Sequence, residues 1–170
     1  MIALSRLWRS SRAAAAVEMA LVTPLLLIIM MGSFELGNYF MNEHKLVKAV
    51  RDGARFAGRQ AFASYACPSS IDTTVATNIK NVVMTGLLSG GSNRLANWTA
   101  PSITLSLSCF TTTGGQNMLG IYQNSSGASV GAPVVTVSAT VLYTPVLKSF
   151  GFQGVGYYLN ARQQAAVMGL

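Results

Sequence analysis

Five carboxylates, one imidazole and two thiols are what 170 residues offer for acid–base, nucleophilic or metal chemistry: Glu18, Glu35, Glu43, Asp52, Asp72, His44, Cys67 and Cys109. General acid–base catalysis needs titratable groups within reach of one another. Residues 64–170 hold a single carboxylate, Asp72, and no histidine. Serines are plentiful there, but no base stands ready to activate one, so no triad can be assembled. P-loop and dinucleotide fingerprints are absent from the sequence. The expectation is a protein that is not an enzyme, with no catalytic residue and no cofactor. No metal site is expected either, since His44 sits beside Lys45 and far in sequence from both cysteines.

The placement of Glu18 is the anomaly. It lies in "AAAAVEMALVTPLLLIIMM", inside an apolar run from Ala13 to Phe34 that is interrupted by Glu18 and Thr23 and ends in "MMGSF". Twenty-two helical residues rise roughly 33 Å, enough to cross the hydrocarbon core of a bilayer. A cleaved secretory signal has a shorter apolar core, of about 7 to 15 residues, and here "ELGNYFMNEHKLVKAV" continues as more helix. A charge inside a span is costly, and five residues from its start Glu18 can also snorkel to the interface.

Charge distribution supports the span. Mean hydropathy is +0.41, 10% of residues are charged, and the net charge is +7. Arg6, Arg9 and Arg12 precede the run without an acid among them, which places the N-terminus in the cytoplasm. Lys45, Lys48, Arg51, Arg55 and Arg59 follow it on one helix with no aromatic stacking platform, so nucleic acid is not an expected partner. This orientation sends Cys67 and Cys109 outside, where thiols oxidise. They read either as a disulfide closing a loop of about 40 residues, worth roughly 4 kcal/mol in loop-closure entropy, or as two unrelated buried thiols.

The rest of the chain must position these groups. Leu36, Phe40, Val47, Val50, Ala54, Ala57 and Ala61 recur at the spacing of one helix face, with Lys48, Arg51, Asp52, Arg55 and Arg59 on the other. Asp52 can pair with Lys48 or Arg55 on neighbouring turns. Span and amphipathic segment together predict one helix of about 50 residues, ended by "ACPSS". Its small-residue ladder Ala49, Gly53, Ala57, Ala61 admits a close neighbour, either the protein's own sheet or another chain. A second helix over "SIDTTVATNIKNVVMTGLLSGG" carries Ile71, Val75, Ile79, Val82, Val83 and Leu87 on one face, with Ser70 or Asp72 as cap and Gly90 and Gly91 at its end.

"SITLSLSC" and "VVTVSATVLYTP" alternate as half-buried strands, the latter with Val135, Val137, Ala139, Val141 and Tyr143 on one face. Residues 111–133 read as a long polar loop, a contact surface or merely a solvated one. "YYLNARQQAAVMG" fits a last strand or a helix. The matches "NWT" at Asn97 and "NSS" at Asn124 are cheap by chance in so Ser/Thr-rich a chain. The expected fold is α+β, a long N-terminal helix packed on a small antiparallel sheet of three or four strands with a second helix.

"AAAAVEMALVTPLLLIIMMGSFELG" followed by "AVRDGARFAG" resembles the N-terminal signature of the TadE-like family, pilin-like proteins of the bacterial tight-adherence (Tad, type IVc) pilus system. The elements that carry the resemblance are Val17, Glu18, Met19 and Ala20, then Pro24, then Glu35 with Leu36, then Val50 through Arg55, including Arg51, Asp52 and Gly53. The resemblance implies a pilin-like fold and a minor pilin or pseudopilin that supports adhesion. It would have a cytoplasmic basic leader (1–13), a transmembrane part of the helix (14–34), an amphipathic upper part (35–66) and a periplasmic or extracellular head (67–170). It implies cleavage by a prepilin peptidase between Ala13 and Ala14, where the family usually has Gly in place of Ala13. Glu18 then becomes the fifth mature residue and meets the N-terminal amine of a neighbouring subunit, and Pro24 loosens the helix for assembly. The partners implied are the inner membrane crossed once, other pilin subunits, the Tad assembly machinery and the peptidase. The other reading is an uncleaved bitopic anchor presenting a binding module in an envelope or secretion complex.

Overall fold

The computed structural model describes residues 11–68, 70–96, 98–123, 126–127, 130–151 and 156–169, with the backbone alone at residues 11–13 and 113. Arg6, Arg9, Asn97 and Asn124 lie outside the described residues, as do the side chains of Arg12 and Ala13. The fold is α+β, as expected. The elements are α1 (Ser11–Gly58), β1 (Tyr65–Ala66), β2 (Ser70–Ile71), α2 (Thr73–Thr85), β3 (Ile103–Phe110), β4 (Thr112–Thr113), β5 (Gln116–Asn117), β6 (Ala132–Leu142) and β7 (Tyr158–Ala166). They divide into two compact units, Met1–Phe40 with Pro145–Gln153, and Met41–Thr144 with Gly154–Leu170.

In the first unit α1 runs unbroken through Pro24. Proline has no N–H to give to the carbonyl four residues back, and one turn earlier the Thr23 hydroxyl donates to the Met19 carbonyl at 2.7 Å. Leu21, Leu25, Ile28, Ile29 and Phe34 are exposed, and the helix is long and apolar enough to cross a membrane. The chain is thus marked as membrane-associated.

In the second unit α1 changes character. Leu46, Ala49, Val50, Gly53, Ala54 and Ala57 are buried at steps of three and one, a single stripe, while Lys48, Arg51, Arg55 and Arg59 stay exposed. Burying a side chain the size of Leu46 or Val50 contributes about 1.5–3 kcal/mol. The stripe begins later than the predicted face, for Leu36 and Phe40 are exposed. It also ends sooner: the helix stops at Gly58 rather than at "ACPSS", and Ala61 is exposed beyond it. The Gly58 carbonyl accepts from the Met168 N–H at 2.9 Å, and a Cβ at Gly58 would stand 2.9 Å from the Ala166 carbonyl oxygen. The helix ends where its backbone docks on the strand end.

Helix α2 is capped by Asp72, whose Oδ1 accepts from Thr74 N–H and Val75 N–H at 2.9 and 3.0 Å. It ends at Thr85, short of Gly90, because Gly86 takes the left-handed conformation at φ +85°. Ile79 and Val83 are fully buried, whereas Leu87 falls past the cap and is exposed.

The main sheet is antiparallel in the order β3-β6-β7. Leu105 pairs with Val137, and Ala139 with Ala161. Val135, Val137, Ala139, Val141 and Tyr143 are all buried, as the alternation predicts. The last segment is strand, not helix, because pairing along the central strand outweighs the helix preference of its Ala and Gln. The long loop holds the two-residue hairpin β4-β5. Tyr65 is buried and donates to the Ala57 carbonyl at 2.7 Å, and its burial pushes the phenol up to about 12.

Cys67 and Cys109 form a disulfide with a Cα–Cα distance of 5.8 Å and a sequence separation of 42, tying the segment after α1 to the end of β3. Reduction of the detergent-solubilised full chain should lower its unfolding free energy by about 4 kcal/mol, the loop-closure entropy returned to the unfolded chain. Urea unfolding followed with and without reductant reads this directly, and coincident midpoints would contradict it.

Candidate functional site

Two carboxylates of the helix, Glu35 and Asp52, hold other parts of the protein, while Glu18 holds nothing described. Glu35 follows the last residue of the apolar run, yet it is 8% exposed. Its Oε1 accepts from the Val146 N–H at 3.2 Å and its Oε2 from the Leu147 N–H at 2.9 Å. Two successive backbone amides thus grip one carboxylate. Hydrogen bonds to a charged group are worth about 1.5–3 kcal/mol, so Glu35 fixes the start of the β6–β7 connection on the helix.

Asp52 and Gly53 act on α2 and the loop after it. Asp52 Oδ2 accepts from Arg94 Nη1 at 2.8 Å, with side-chain exposures of 31% and 27%. The expected partners Lys48 and Arg55 are not used; a helix-surface pair is worth only a few tenths of a kcal/mol and leaves both groups in water. An ion pair this accessible is itself worth about 0–1 kcal/mol, so its importance is position. Arg94 is anchored through its N–H to the Met84 carbonyl at 2.8 Å, and a Cβ on Gly86 would stand 2.6 Å from Arg94 Nη2. Beside it, a Cβ on Gly53 would run into Val83 Cγ2. Within the ladder, Gly53 packs on α2 and Ala61 is exposed; Gly58, next to Ala57, packs on β7 of the main sheet.

Arg51 and Arg55 of the same motif are exposed. Ala14 lies exposed on the helix; the side chain of Ala13 is outside the described residues. Glu18 is exposed on the apolar part of α1 and makes no ion pair or hydrogen bond among the described residues. About 25 Å of helix rise separates it from Glu35.

Arg94 and the amides of Val146 and Leu147 went unrecognised in the sequence. Arg94 carried one signal, as a cation in a region almost without charge. The amides carried none in their side chains. A groove beside the disulfide, lined by Phe62, Tyr65, Cys67, Tyr122, Val130 and Pro133 among others, contains no charged side chain.

The family model of TadE-like proteins matches residues 13–55. The match takes in Ala13, Ala14, Glu18, Pro24, Glu35 and the stretch from Arg51 to Arg55, and it ends where the helix is packed against the head. No curated protein and no solved structure matches the chain.

Two substitutions test this geometry. Helix propensity alone says that Gly53→Ala stabilises by about 1 kcal/mol; the close approach of Val83 says that it destabilises, since overpacking costs about 1–3 kcal/mol. The expected net loss is about 1 kcal/mol in a denaturation midpoint, and a gain would remove Gly53 from the contact. In Glu35→Ala the connection should loosen, so that limited trypsin digestion cuts after Lys148 at least several-fold faster than in the parent; equal rates would deny Glu35 its hold.

Proposed function

We propose that this chain, whose residues 13–55 match the family model of TadE-like proteins, is a minor pilin or pseudopilin of a Tad (type IVc) pilus, a structural subunit rather than an enzyme. Its helix crosses the bacterial inner membrane once, with the N-terminus in the cytoplasm and the head on the periplasmic side. Prepilin peptidase cuts between Ala13 and Ala14. The Tad machinery then assembles the processed chain with other pilin subunits, in the pilus or its initiating complex, where it supports adhesion.

The observation that carries this reading is Glu18, a carboxylate exposed on an apolar helix without a described partner. At midplane such a charge costs about 3 kcal/mol even on insertion scales. Nearer the interface it costs less, but it still gains from a cation that enters the same layer. Cleavage after Ala13 makes Glu18 the fifth residue and creates an ammonium at the matching level of a neighbouring helix. Pairing with it satisfies both groups in a low dielectric, where leaving one alone is the expensive outcome. Pro24, with one backbone bond already missing, is where the helix can stretch as it enters a fibre.

N-terminal sequencing of the protein from its native host should give Ala14 when the prepilin peptidase is present and the uncut leader when it is deleted. Glu18→Gln should be cut normally yet disappear from sheared pili. An uncut N-terminus in both strains, with Glu18→Gln indistinguishable from the parent, would replace this reading by the bitopic anchor.

A further inference from the structure

We infer that the β6–β7 connection is a foot on the membrane surface: Val146 and Phe150 sit in the boundary between headgroups and acyl chains of the bilayer that α1 crosses. The inference rests on reading α1 as the span. Its first support is position. Glu35 directly follows the apolar run, and it holds the Val146 and Leu147 amides at 3.2 and 2.9 Å. One residue advances a helix by about 1.5 Å, so the tether lies at the level where the run ends. Residues 145–151 belong to the same compact unit as the span, so the loop and the end of the run share one frame.

The second support is composition. A connection at the edge of a sheet is ordinarily polar, yet "PVLKSFG" leaves Val146 71% and Phe150 68% exposed. Phe34 and Leu36, either side of the tether on the helix, are exposed as well. Apolar surface open on both the helix and the loop it holds has one medium available at that level, the bilayer boundary. Lys148, exposed between the two apolar residues, adds the pattern of interfacial segments, in which a cation reaches for acidic headgroups while its neighbours enter the apolar layer. Four of the loop's amides already have acceptors: those of Val146 and Leu147 in Glu35, that of Phe150 in the Leu147 carbonyl at 2.9 Å and that of Gly151 in the Lys148 carbonyl at 3.3 Å. The amides of Val146 and Phe150, the two residues placed in the apolar layer, are thus already paired, which lowers the cost of entering it.

The test uses the full chain in phosphatidylcholine vesicles containing phosphatidylglycerol, with a nitroxide on one introduced cysteine at a time. The native cysteines are joined to each other and do not take the label. Leu27→Cys reports the span, Ser106→Cys the head, and Val146→Cys and Phe150→Cys the foot, each leaving the other apolar residue in place. Collisions with oxygen, which concentrates in lipid, are compared with those of a water-soluble nickel chelate. Leu27, Val146 and Phe150 should each favour oxygen several-fold, and Ser106 the chelate. A foot that favours the chelate while Leu27 favours oxygen overturns the foot and leaves the span intact. Leu27 favouring the chelate overturns both. A foot shielded from both reagents is covered by protein, which also overturns the proposal.

Discussion

Backbone hydrogen bonding closed within one helix is the constraint from which the other features follow. In hydrocarbon no water can satisfy a free amide or carbonyl, so a spanning segment must pair them internally. Helix α1 does so from Ser11 to Gly58 with Pro24 as the one missing donor. That closure lets Leu21, Leu25, Ile28 and Phe34 stay exposed, since in lipid exposed leucine costs nothing. Past Phe40 the helix has a second role, in the packing of the second unit. A stripe of small residues is what the second role requires. Ala49, Gly53, Ala57 and Gly58 are buried, and a Cβ on Gly53 or Gly58 would crowd Val83 of α2 or Ala166 of β7.

Of the five acids, three have separate mechanical tasks. Asp72 closes the first turn of α2, Asp52 holds Arg94 after that helix, and Glu35 holds the β6–β7 connection by its amides. What the ionised form adds is strength, since charge-assisted bonds are roughly twice as strong as neutral ones. Glu18 stands apart because nothing described engages it.

Much of the fold was legible because it rests on local periodicity. The alternation of "VVTVSATVLYTP" gave its buried face residue by residue, and Asp72 announced its cap. Boundaries were less legible. Gly58 and Gly86 end their helices through a carbonyl given to Met168 and a left-handed turn, whereas the apolar spacing ran on to Ala61 and Leu87. The site was legible as a set of residues but not as a set of contacts. Asp52 was assigned partners one turn away, and its true partner lies 42 positions along the chain. Glu35 was noticed only through its motif, because backbone amides leave no trace in side-chain chemistry. The two cysteines left a disulfide and two unrelated buried thiols both open, and the 5.8 Å between their Cα atoms in the fold decides for the disulfide.

On the proposed reading, the span has to leave lipid for a bundle of similar helices. For its leucines, isoleucines and methionines that exchange is nearly neutral, because acyl chains are as apolar as the side chains they replace. Apolar area therefore holds the helix in either environment without choosing between them, and the choice falls to the few polar groups on the run. Glu18 is the one charged group among them. In lipid it faces hydrocarbon or must reach for the interface; beside a neighbour's ammonium it is paired. The midplane cost of about 3 kcal/mol is the upper bound on this difference, and even half of it shifts a balanced equilibrium about tenfold, since each 1.4 kcal/mol is a factor of ten. A single carboxylate can thus decide the direction of a transfer to which some twenty apolar residues are indifferent, which is the physical reason to expect a charge in a segment that otherwise excludes one.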